Sequence, residues 1–121
     1  MEEKSGLGKQ GEELAVEFLV KKGFKIKHRN WRYKHKEIDI IAKDRDELVI
    51  VEVKTRSEEI YEEPWQAVTN KKIKFLADAT EAYIDKYDIE EEIRFDVVSI
   101  ILNERKKEIN HIEDAFRPWM S

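Results

Sequence analysis

The sequence predicts an α/β fold: a mixed central sheet flanked by helices, with elements in the order αβββαβ and a short further strand at the end. Three observations carry this reading. Two segments repeat apolar residues at helical spacing, one before and one after a block of strand-like runs. The runs at 37–43, 48–54 and 93–102 are nearly continuous in apolar residues, as strands covered on both faces are. The chain has 121 residues, 40% of them apolar, which is enough for one core and too short for two domains. The expectation is therefore a single domain over 1–121.

The elements follow in order. Leu7, Gly11, Leu14, Ala15, Phe18 and Leu19 recur at i, i+3, i+4 and predict a helix over 8–22, closed by Gly23 after Lys21 and Lys22. Strands are expected at 24–31, 37–43 and 48–54, the last two joined by the polar turn Asp44-Arg45-Asp46-Glu47. A loop at 55–63 carries Glu58, Glu59, Glu62 and Glu63 and ends at Pro64. The second helix runs to Tyr87 with Ile73, Leu76, Thr80, Tyr83 and Ile84 on one face, and Thr69 or Asn70 can cap its firm start. Strands at 93–102 and 107–112 complete the chain.

Composition narrows the function. There are no cysteines, which excludes a disulfide framework, Cys-ligated zinc and a thiol nucleophile. No apolar run approaches the ~20 residues of a membrane span, and Met-Glu-Glu-Lys does not open a signal peptide, so a soluble, cytoplasmic protein without a membrane partner is expected. The net charge is −4, but residues 21–36 hold eight Lys and Arg and no acid, leaving −12 on the remainder. Such a run is either a solvated face or a phosphate-binding patch, and Trp31 and Tyr33 interleaved with the charges suit the second. By strand alternation Lys25, Lys27 and Arg29 are expected to share a face, with Arg32, Lys34 and Lys36 extending from the following turn.

Charges inside the apolar strands are what need explaining, because an unpaired buried charge is costly. The turn at 44–47 sets Lys43 opposite Leu48. Counting back, Ile41 faces Ile50, Asp39 faces Glu52 and Glu37 faces Lys54. Opposed side chains have Cβ atoms about 5 Å apart, so Asp39 and Glu52 repel unless a proton or cation lies between them. Oxygen-only ligation favours Mg²⁺ or Mn²⁺. Lys54, on the same face, is placed to orient a water or meet a phosphate oxygen. The plainer alternative is an ion-pair ladder of Glu37 with Lys54 and of Glu52 with a neighbouring Arg. On the first helix, Glu12 is the carboxylate at the rim of the apolar face, while Glu13 and Glu17 point away.

The ordered set GKQGEELA (8–15), RNWR (29–32), EIDIIA (37–42), VEVKTR (51–56), a helix start bearing Lys72, RFDVV (94–98) and HIEDAF (111–116) resembles the bacterial YraN-type family, a branch of the PD-(D/E)XK nuclease superfamily with a resolvase-like core. The resemblance spans nearly the whole chain and implies a restriction-endonuclease-like αβββαβ core. It implies a metal-binding acid at Asp39, the (D/E)XK element at Glu52, Val53 and Lys54, a helix-one acid at Glu12 and a basic residue at Lys72, with Gln66 as a lesser candidate. Lys36 stands where the family usually has Gly.

The expected function is a Mg²⁺- or Mn²⁺-dependent endonuclease on DNA, including branched or structured DNA. Asp39, Glu52, Lys54 and Glu12 would be catalytic. Asp39, Glu52, the Val53 carbonyl and Glu12 would be the metal ligands. Lys25, Lys27, Arg29, Arg32, Lys34, Lys36, Arg56 and Lys72 would hold the nucleic acid. The rivals are a nucleic-acid-binding module with a relic site and a protein-interaction domain. Asp96 is expected to be a structural partner of Arg94, Arg56 or a capped backbone. His28, His35 and His111 are read as surface or structural residues, Trp65 as packed under the second helix or as a base-stacking ring, and the tail Arg117-Pro118-Trp119-Met120 as packed or dimer-forming.

Overall fold

The computed structural model describes residues 6–58 and 68–119. The elements are α1 (Gly6–Lys21), β1 (Lys25–Tyr33), β2 (Lys36–Asp44), β3 (Glu47–Arg56), α2 (Asn70–Tyr87), β4 (Glu92–Leu102) and β5 (Lys107–Ile112). They form one five-stranded sheet in the order β1-β2-β3-β4-β5. β3 and β4 pair in parallel and the other neighbours antiparallel. The parallel pair needs a crossover, and α2 lies on it. This is the α/β mixed sheet expected, with the restriction-endonuclease-like order. The expected loop residues Glu59, Glu62, Glu63 and Pro64, together with Trp65 and Gln66, lie outside the described residues.

Among the described residues, α1 covers one face of the sheet and α2 the other. Ala15 and Leu19 of α1 pack with Ile40, Ala42, Val49, Val51, Val98 and Ile100. Leu76, Ala79 and Tyr83 of α2 pack with Ile38, Ile41, Leu48, Ile50, Phe95 and Val97 on the other face. Coverage on both faces accounts for the apolar runs of β2, β3 and β4. At the end of α1, Gly23 takes φ 98°, a left-handed value suited to a residue without Cβ. Thr69 caps α2, its hydroxyl accepting the Lys72 N–H at 3.2 Å. Gly11 lets α1 seat directly on β3: a Cβ built there would stand 2.7 Å from Cγ2 and 2.8 Å from Cβ of Thr55.

The turn between β2 and β3 is tight. Asp44 pairs with Glu47 and Lys43 with Leu48, as the sequence register requires, and Arg45 takes φ 56°. The turn between β1 and β2 is equally short. Its left-handed residue is Lys34 (φ 57°), whereas Lys36 already lies in the ladder opposite Tyr33. Lys36 therefore stands where no glycine is needed.

Strand β1 departs from simple alternation twice. Lys27 is an extra residue between the pairs Ile26–Ala42 and His28–Ile41, a β-bulge. Asn30 takes φ 51°, a conformation asparagine tolerates. As a result His28 and Trp31 both meet Tyr83 on the α2 face. Arg29 instead pairs with Glu13 of α1 at 2.6 Å. Lys25, Lys27 and Arg29 therefore do not form the single regular face that alternation suggested, because the bulge breaks the period.

Candidate active site

The site grows out of the same irregularity. Asn30 falls between the pairs Arg29–Ile40 and Trp31–Ile38, beside Asp39. In β2, Ile38 and Ile41 both belong to the α2-side cluster, so strict alternation also fails across Asp39. The β2–β3 ladder stops at Ile40–Val51, although β3 stays paired with β4 as far as Arg56. Beyond that point the Val53 N–H donates to Oδ2 of Asp39 at 2.8 Å. A side-chain carboxylate takes up the backbone donor freed by the parting strands, which fixes Asp39 at the mouth of the gap.

Glu52 lies on β3 next to Val53, with its side chain only 12% exposed. Ile50 before it faces α2, and Thr55 beyond it faces α1 at Gly11, so Glu52 and Lys54 share the α2 face. Oε2 of Glu52 receives the Lys72 ammonium at 3.3 Å, from the first turn of α2. Its Oε1 is buried with no hydrogen-bond partner among the described residues. Burial first, then the hydrogen bond and the charge of Asp39, push the Glu52 carboxyl well above the usual carboxylate range. Lys72 acts in the opposite sense and is outweighed. A carboxyl pair this close, with one buried oxygen unpartnered, suits a hard cation, and an all-oxygen donor set fits Mg²⁺ or Mn²⁺.

The other predicted residues divide. Glu12 is 3% exposed, so the helical wheel placed it correctly among its neighbours. Yet it stands beside Gly11, on the α1 side of β3. Among the described residues no three His, Asp or Glu side chains gather closely enough to hold one ion. The structure thus joins Asp39 to Val53 and to Glu52, and Glu52 to Lys72, with Lys54 next on the same strand and Glu12 buried on α1. Arg56 continues the Glu52–Lys54 face at the end of β3, half-buried. Arg32, Lys34 and Lys36 are exposed around the β1–β2 turn, and Lys25 and Lys27 are exposed further back on β1.

A second buried network joins two of the sequence motifs. Asp96 is fully buried and takes Arg94 through both oxygens at 2.9 Å, His111 Nε2 at 2.7 Å and the Asp114 N–H at 3.0 Å. Arg94 also reaches Asp44 and Glu47, each at 3.0 Å, and Lys22 Nζ lies 2.8 Å from Nδ1 of His111. Asp96 is thus the structural partner expected for Arg94 and for a backbone N–H. The sequence reading did not connect it to His111; the signal available was that RFD and HIED are the charged parts of two adjacent strands. At the tail, Trp119 rests on Phe95 with ring centroids 5.3 Å apart.

This fold and this acid pair define an α/β protein with a restriction-endonuclease-like core and a two-carboxylate site where its second and third strands part. The profile of the family described as "Uncharacterised protein family UPF0102" matches residues 11–100, and the chain belongs to that family, the YraN type its motifs resemble. A UPF0102 protein of Phocaeicola vulgatus is 42% identical over 98% of both chains. One of Flavobacterium johnsoniae is 48% identical over 96% of this chain and 98% of its own, and one of Bacteroides thetaiotaomicron 45% identical over 98% of both.

Proposed function

We propose that this protein is a metal-dependent phosphodiesterase that cuts DNA, with branched or otherwise structured DNA as its preferred class. The observation that carries the reading is the Asp39–Glu52 pair, held together at the end of the β2–β3 ladder with Lys54 on the same face. Asp39, Glu52 and the Val53 carbonyl would hold Mg²⁺ or Mn²⁺. When bound, such an ion activates a water and neutralises charge building on a phosphate oxygen. Lys54 orients the attacking water or the scissile phosphate. Asp39 is fixed for its role by the Val53 N–H. Lys72 and the exposed cations around the β1–β2 turn hold the phosphate backbone. Glu12, on the α1 side of β3, serves the water network or a second ion.

A second reading, a nucleic-acid-binding module with a relic site, is favoured by the Lys72 ammonium on Glu52, because that contact sets a cation of the protein itself against one of the two carboxylates. Incubation of duplex, flap, fork and four-way-junction DNA with Mg²⁺ and with Mn²⁺ separates the two. Cleavage of at least one substrate, abolished in Asp39→Asn and Lys54→Ala, is the expected result. Binding without cleavage under either ion leaves the relic reading.

A further inference from the structure

Beside the acid pair lies a second concavity that the cleavage chemistry does not use. It is an open pocket of about 270 Å³ between the β1–β2 turn and the first turns of α2. Its floor is aromatic: the half-buried rings of Tyr33 and Phe75 stand 6.2 Å apart, inclined by 44°. Its rim carries the lysines Lys34 and Lys36, with His35 between them, on one side and Lys71 and Lys74 on the other. Lys36 Nζ lies 5.9 Å and Lys72 Nζ 5.5 Å from the centre of the Phe75 ring. Lys72 is also the residue that touches Glu52, so it links the Phe75 ring to the candidate site. Among the described residues the one acid lining it is Asp78, which is paired with Lys74 at 3.2 Å.

We infer that this pocket receives one unstacked nucleotide of a DNA strand, the base against Tyr33 and Phe75 and the phosphate among Lys34, Lys36 and Lys71. Aromatic faces hold bases without regard to sequence, and flanking cations hold the phosphates that accompany them. A base inside a continuous duplex is already stacked and cannot enter. The pocket therefore selects substrates with a single-stranded arm or an unpaired nucleotide next to the scissile bond. This rests on the proposed function for the position of that bond, but the pocket's binding can be read without cleavage.

The test uses the full chain in EDTA. The probes are a single-stranded oligonucleotide carrying one 2-aminopurine, a blunt duplex of equal length carrying the same base, and adenosine monophosphate. The expected result is quenching of 2-aminopurine in the single strand and tighter binding of single strand than duplex. Tyr33→Leu with Phe75→Leu should weaken single-strand binding by about tenfold or more, remove the quenching and leave duplex binding unchanged, while Phe75→Trp retains the quenching. Lys34→Glu with Lys71→Glu changes only exposed side chains and should weaken single-strand binding without unfolding the protein. Single-strand binding insensitive to both pairs of substitutions overturns the proposal, as does adenosine monophosphate binding tighter than the strand. Absence of cleavage in the Mg²⁺ panel with these binding results intact defeats the nuclease reading alone.

Discussion

Asp39 accepts the Val53 N–H at 2.8 Å while standing close enough to Glu52 to raise that carboxyl's pKa. Without a bound cation, burial and the Asp39 charge favour keeping a proton on Glu52, and Lys72 does not outweigh them. Asp39→Asn removes one of the two charges, and the amide oxygen can still accept from Val53. The metal-free variant should therefore be at least as stable as the metal-free wild type. Millimolar Mg²⁺ or Mn²⁺ should raise the melting temperature of the wild type, by an amount equivalent to about 1.4 kcal/mol at ten times Kd, and should not move the variant. Thermal melts with and without metal check this. A wild-type melting temperature indifferent to both ions would remove the main support for a metal site.

Beyond the ladder, one buried acid ties several elements together. Asp96 on β4 links Arg94 of its own strand, His111 of β5 and the Asp114 backbone, and Arg94 extends the link to the β2–β3 turn. Burial by itself would raise the Asp96 pKa, but His111, Arg94 and the Asp114 N–H together hold it below the ordinary value of 3.8. With the folded pKa depressed, the unfolded chain binds more protons as pH falls. The contribution is therefore present in full above about pH 3.8 and is lost as pH falls through the lowered value. Asp96→Asn removes the fully buried carboxylate between Arg94 and His111, leaving Arg94 only its more exposed partners Asp44 and Glu47, and should cost about 3 kcal/mol at pH 7. The gap between wild type and variant should narrow below pH 3.8, where the wild type loses the same charge. Urea titrations of both proteins across that range measure it, and a gap of constant size would contradict the assignment.

Periodicity carried the element order and the β2–β3 register, since a polar turn between two apolar runs leaves few pairings once the buried face is chosen. It did not carry the kink at Asn30 or the bulge at Lys27. Both are single-residue backbone choices stabilised by the packing of Trp31 and His28 on Tyr83, a residue more than 50 positions away in the chain. The nearness of Asp39 to Glu52 was legible because the register runs up to Ile40–Val51, but the strands part there, so neither Asp39 with Glu52 nor Glu37 with Lys54 is a ladder pair as expected. The Tyr33–Phe75 floor was not, because it needs the approach of α2 to the first turn of the sheet. Lys71 and Lys74 in the run NKKIK were the visible hint.

At the scale of the whole molecule, a net charge of −4 coexists with one strongly basic edge. Arg32, Lys34 and Lys36 are exposed around the β1–β2 turn, and Lys71 faces Lys34 and Lys36 across the pocket. Arg29 is set apart by its pairing with Glu13. Acidic residues elsewhere are screened from a bound strand beyond about 8–10 Å at physiological salt. Four cations reaching phosphates give a log Kobs against log[salt] slope of roughly −3 to −4 on duplex DNA. Replacing Lys34, Lys36 and Lys71 by Glu should flatten that slope and weaken binding alike on every sequence, since phosphate contacts carry no base information. The same exchange at Lys25 and at Lys27 in the bulge, further along β1 from the pocket, should change the slope less. Fluorescence anisotropy over a salt series distinguishes the two variants. No binding by the wild type at about 50 mM salt, where phosphate contacts are strong, would instead favour a protein partner for the acidic remainder.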